Sequence, residues 1–135
     1  MGPDLKQLAQ DTLQILPGDA VAQHYLASAA NMRDPVSAAE YLAQTQPSAD
    51  NYLNLSLVYH RAKRYQDSIN AAHKAIQLNP NSPEAYNNIA ADYEDLHQWD
   101  PAIEAAKQAL KLRPDFQLAK NNLAWAESQK KLNVK

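Results

Sequence analysis

Residues 49–116 are one 34-residue unit written twice. Laid over each other, 49–82 and 83–116 coincide at Tyr52/Tyr86, Asn54/Asn88, Tyr59/Tyr93, Ile69/Ile103, Ala71/Ala105, Ala72/Ala106, Ala75/Ala109, Leu78/Leu112 and Pro80/Pro114. Self-similarity at a fixed period of this length marks an array of stacked units, each unable to bury its apolar face alone. The period constrains the fold more than any single motif does.

Each unit has two helical halves. In the first, large apolar residues recur at i, i+3 and i+7, as Tyr52, Leu55 and Tyr59 and again as Tyr86, Ile89 and Tyr93, one stripe on a 3.6-residue period. In the second, small residues take the stripe: Ala72 and Ala75, then Ala102, Ala106 and Ala109. Alanine lets a neighbouring helix axis approach closely, and the large side chains of one helix fill the space beside the small ones of the next.

This arrangement, closed by a proline at each period, resembles the tetratricopeptide repeat. The matching residues are Tyr52, Leu55, Ser56, Tyr59, Ser68, Ala75 and Pro80, then Tyr86, Ile89, Ala90, Tyr93, Ala102, Ala109 and Pro114. The chain departs from the family where glycine is common, with Ser56 and Ala90 at the small mid-helix position and Lys63 and His97 in the inter-helix turn. The resemblance implies an all-α, right-handed superhelix, an α-solenoid of about eight antiparallel helices in a single domain over 1–135.

Outside the two full units the pattern shortens. Residues 4–16 read as a lone helix ending at Pro17-Gly18, either the second half of a truncated unit or an N-terminal cap. Residues 18–47 form a shortened unit, its prolines 30 residues apart instead of 34. In it Asp34-Pro35 takes the place of Asp100-Pro101, each read as a helix start in which the carboxylate caps free N–H groups. Helices are expected at 49–61, 66–79, 83–96, 101–113 and 115–132. The last (117–135 as a segment) reads as a cap, because Lys120 and Glu127 replace the two aromatics that would face a further unit. The start, Met1-Gly2-Pro3 running into helical sequence, suggests a piece of a longer protein.

Composition narrows the function classes. A net charge of −2 with 21% charged residues does not suit a nucleic-acid binder. No apolar run approaches the ~20 residues of a membrane helix, so direct membrane insertion is not expected. The chain has no cysteine, which excludes disulfides and thiol chemistry, and glycine occurs only at 2 and 18, which excludes a phosphate-cradling loop. The histidines, His24, His60, His73 and His97, are read as exposed polar residues on repeat helices. Glu94 and His97 have the spacing of half a di-iron site but lack the second half. No catalytic residue, metal or cofactor is assigned.

Asparagine does recur. Asn54, Asn88 and Asn122 stand 34 apart in successive first helices, on the face away from the alanines. A carboxamide complements the N–H and C=O of a peptide unit, so a row of them can hold an extended chain without reading its side chains. The row resembles the asparagine ladder of O-linked N-acetylglucosamine transferases. The alternative is that these amides bond neighbouring helices or water. The family's first-helix pattern adds Tyr25, Leu53, Leu57 and Trp125 to the same wall as apolar contacts, and Glu84, Asn87, Glu94, Asp95 and Asn121 as polar ones. Trp125 either contacts a partner or packs on the last seam. The carboxylate clamp of chaperone-binding relatives is disfavoured, because His24, Glu84 and Asn88 stand where it needs bases, and only Asn54 fits.

Charge is segregated as well: residues 75–106 hold six acids and no lysine or arginine, and 107–135 hold seven bases against two acids. That is either solvated surface or an acidic central wall favouring basic or hydroxyl-rich segments. The expected function is a non-catalytic module binding an extended peptide or partner segment in its groove. The alternative is a substrate-presenting or assembly domain of a larger enzyme such as a glycosyltransferase, and self-association is a further possibility.

Overall fold

The computed structural model describes residues 34–133, and these hold six helices and no strand. They are α1 (Pro35–Thr45), α2 (Ala49–Arg61), α3 (Tyr65–Leu78), α4 (Pro83–Asp95), α5 (Trp99–Leu112) and α6 (Gln117–Asn133). The remaining two of the eight expected helices, at 4–16 and in the first half of 18–47, lie outside the described residues, as do His24 and Tyr25. The chain divides into two units, one ending at Pro47 and one beginning at Ser48.

In the first unit, α1 starts as its sequence requires. Asp34 is extended and its carboxylate accepts a hydrogen bond from the Val36 N–H at 3.1 Å, with Pro35 opening the helix. Ala38, Ala39 and Ala43 form its buried stripe.

In the second unit, each pair packs its own two helices together, α2 on α3 and α4 on α5, and α6 closes against α5. The first helices also touch in sequence, α2 with α4 and α4 with α6. The alanine stripe does what its spacing predicts. Ala72, Ala75, Ala102, Ala106 and Ala109 are almost wholly buried, and Ile76, Tyr93 and Leu123 pack against the cluster formed by Ala72, Ile89, Ala90, Ala105 and Ala106. This is ridge-into-groove packing of large on small.

Ser48 and Ser82 cap α2 and α4 by accepting from Asn51 N and Ala85 N. Asp100 differs from Asp34 in this respect. Helix α5 begins two residues before Pro101, at Trp99, with Gln98 as a cap that makes no side-chain bond. The Asp100 carboxylate is drawn instead to Lys130 on α6, at 2.6 Å. The proline is tolerated because its missing N–H falls in the first turn, where no intrahelical partner exists.

The inter-helix turns explain the departure from glycine. Lys63 and His97 have φ of 62° and 57°, the left-handed conformation glycine adopts most easily. At the first turn Arg64 N bonds Tyr59 O at 2.8 Å and Lys63 N bonds His60 O; at the second Gln98 N bonds Tyr93 O at 2.8 Å and His97 N bonds Glu94 O. Both are Schellman closures. Arg64 lies over the Tyr59 ring, 4.6 Å from its centre, and His97 stacks on Trp99, so the long side chains at the turns gain ring contacts.

Candidate functional site

The wall formed by α2, α4 and α6 carries the residues singled out above, but unequally. Asn54 is exposed, Asn88 is half-buried, and Asn122 donates from Nδ2 to Asn87 Oδ1 at 2.7 Å. The Nδ2 of Asn88 is buried without a partner. The cause lies in the register: Asn122 meets Asn87 of the preceding first helix, whereas the residue equivalent to Asn87 one unit earlier is Leu53, which cannot accept. Asn87 is buried, with its carbonyl oxygen engaged, while Asn121 is exposed and accepts from Gln117 Nε2. Glu84 is held by Arg113, at 2.6 Å.

The apolar members stand open. Leu57 is 39% exposed and Trp125 54%, so Trp125 is not packed into the last seam. Both occupy one register, two units apart, with Ala91 between them on α4. Leu118, 60% exposed, lies one heptad before Trp125 on the same side of α6.

A second polar system was not legible as such. His60, expected to be an exposed surface residue, is half-buried and its Nδ1 lies 2.7 Å from Asp92 Oδ1, with Nε2 3.6 Å from Asp95 Oδ2. Asp92 is fully buried. Burial pushes its carboxyl above the ordinary carboxylate range, opposed by the neighbouring Ser68 hydroxyl and by His60. The signal that points to this pair is Asp92's register, shared with Val58 and Ala126: a carboxylate at an otherwise apolar position needs a partner across the seam.

The next seam lacks that partner. Glu94 is the equivalent of His60, and Ala126 the equivalent of Asp92. Glu94 Oε1 is therefore buried and unpaired, and burial, with Asp95 beside it, pushes the carboxyl up to about 7. Among the described residues no group of three or more metal-ligating side chains converges, and no helix is long and apolar enough to cross a membrane.

The tetratricopeptide repeat family model matches residues 45–115, more than half of the chain. The chain belongs to the tetratricopeptide repeat family. Solved structures agree on the fold. A crystal structure of MamA superposes with a TM-score of 0.75 at 22% identity, covering 94% of this chain and 77% of that one. The Arabidopsis OM64 TPR domain gives 0.67 at 17%, covering 92% and 98%. A chain of the APC/C hetero-tetramer Cut9–Hcn1 gives 0.67 at 20%, covering 89% of this chain and 26% of that one. No curated protein sequence gives a significant match. The tetratricopeptide fold is in general a protein-interaction scaffold, and the α-solenoid described above is its architecture.

Proposed function

We propose that this tetratricopeptide domain is a non-catalytic module that holds an extended peptide or partner segment against the α2–α4–α6 wall. The observation that supports the reading is the pair Leu57 and Trp125, large apolar side chains left open at equivalent places on α2 and α6. Exposed side chains of this kind, aligned on one wall, are what a partner's side chains anchor on. Asn54, which is exposed, lies beside them with amide hydrogens to offer, whereas the Asn88 Nδ2 is buried. The likeness to the glycosyltransferase ladder rests on spacing alone, and Asn122 is already engaged with Asn87.

Tryptophan emission offers a direct test, since Trp125 is half in water. A peptide library titrated against the domain should contain members that shift this emission to the blue, and Trp125→Phe should remove the shift while binding persists. Leu57→Ala and Trp125→Ala should each weaken binding about tenfold or more, as anchor truncations do. Peptides that bind both variants as well as they bind the parent would overturn the groove reading.

A further inference from the structure

The chemistry of the wall changes from helix to helix, and this specifies an occupant. At the two registers that follow the apolar row, α2 carries His60 and Arg61, α4 carries Glu94 and Asp95, and α6 carries Ser128 and Gln129. The middle helix is thus the acidic one, and it lies between two helices that each offer an exposed apolar side chain. Its acids are not all matched within the chain. Glu84 has Arg113 and Asp92 has His60 on Oδ1 with its Oδ2 buried and unpartnered, whereas Glu94 Oε1 is buried with no partner and Asp95 is half-exposed, its only ionic contact among the described residues being the longer one to His60. No lysine or arginine occurs between residues 75 and 106 to supply the missing charge.

We infer that the wall selects a segment of another protein bearing a lysine or arginine flanked on both sides by large apolar residues, the cation seated on Glu94 and Asp95 and the flanking side chains on Leu57 and Trp125. The inference rests on the groove reading above and gives the partner its chemistry. Charge complementarity picks the cation, since an unpaired carboxylate at a partly desolvated surface gains most from a group of opposite sign. The exposed Arg61 keeps that cation off α2. Packed helix axes lie about 8–10 Å apart, so two steps from α2 to α6 span roughly 16–20 Å. An extended chain advances about 3.3 Å per residue and turns successive side chains to opposite faces, which places the two apolar residues about six apart with the cation two residues from one of them, on the same face.

The probes are three synthetic, terminally blocked peptides of the pattern Leu-Ala-X-Ala-Ala-Ala-Leu, with X as lysine, norleucine or glutamate, titrated by calorimetry at pH 8, where the Glu94 carboxyl is ionised, at low and high salt. The lysine peptide should bind best, about tenfold or more tighter than the glutamate peptide at low salt, with the gap narrowing as salt screens it. The double variant Glu94→Gln, Asp95→Asn should bind all three alike, at the level of the norleucine peptide. Asp115→Asn, an exposed acid in the turn before α6, serves as control and should leave the preference intact.

Equal binding of the lysine and glutamate peptides, with Trp125→Ala still weakening both, would overturn the cation inference and leave the groove reading standing. If Leu57→Ala and Trp125→Ala change nothing for any peptide, the groove reading falls too. A preference for lysine that survives the double variant also overturns the inference, because the cation would then sit elsewhere.

Discussion

Helices α2 and α3 and helices α4 and α5 share one backbone plan and solve its polar accounting differently. In the first pair the two small packing positions are Ser56 and Ser68, buried, with hydroxyls 2.9 Å apart and Ser68 Oγ donating to Ser56 O at 2.8 Å. In the second pair the same positions are Ala90 and Ala102, equally buried and wholly apolar. The seams between first helices diverge similarly. That between α2 and α4 contains the His60–Asp92 pair but leaves Asn88 Nδ2 and the second Asp92 oxygen unpaired, and that between α4 and α6 contains Asn122–Asn87 but leaves Glu94 Oε1 unpaired. Repeat geometry fixes where two side chains meet, and only the particular pair settles whether the meeting is satisfied.

The largest effect should come from breaking the buried pair. His60→Ala leaves the buried Asp92 Oδ1 without its partner and should cost about 3 kcal/mol, the upper end for a buried acceptor stranded by loss of its hydrogen bond. Adding Asp92→Ala, which copies the Ala126 register, should restore most of that loss in a urea melt. If the double variant is as unstable as the single one, the Asp92 burial is not the source of the cost.

A smaller effect tests the serine pair. Ser68→Ala strands the buried Ser56 hydroxyl and should cost roughly 1–2 kcal/mol, while the double change of Ser56 and Ser68 to alanine, which copies the second pair, should recover the part due to Ser56 and leave the cost of taking the neighbouring Ser68 hydroxyl from Asp92. Next come the asparagines. Asn122→Ala removes a hydrogen bond and should cost about 1 kcal/mol, whereas Asn88→Ala removes an unpaired donor and should cost nothing or stabilise slightly. Equal losses at the two sites would erase the distinction between the seams.

The smallest effect is conditional on pH. The folded protein raises the Glu94 carboxyl from its ordinary 4.5 to about 7, so this group's contribution to stability is complete below pH 4.5 and is lost as pH rises through 7. Glu94→Gln should therefore match the parent at pH 4 and exceed it at pH 8. Solvent screening of this half-exposed group holds the gain to about 1 kcal/mol or less. Melting curves at the two pH values check it, and a variant with the parent's pH profile would refute the assignment.

From the 34-residue period alone came the fold class, the helix pairs of 49–116 and the small-on-large packing, because these follow from which residues recur and how far apart they are. The helix start at Asp34 was equally local, since a cap bonds within a few residues of itself, and the caps at Ser48 and Ser82 found in the structure are of the same kind. Asp100 was misread for the same reason in reverse: a helix that opens earlier, at Trp99, frees the carboxylate for Lys130, thirty residues away. The wall residues were legible as positions, yet their states were not. Asn88 and Asn122 are identical in sequence and register, and only the residue facing each across a seam, Leu53 or Asn87, makes one unpaired and the other bonded. Likewise nothing local distinguishes His60 from His73 or shows that Asp92 is buried. Periodicity is a property of one helix, whereas satisfaction of a polar group belongs to two, and the second helix enters only when the stack has formed.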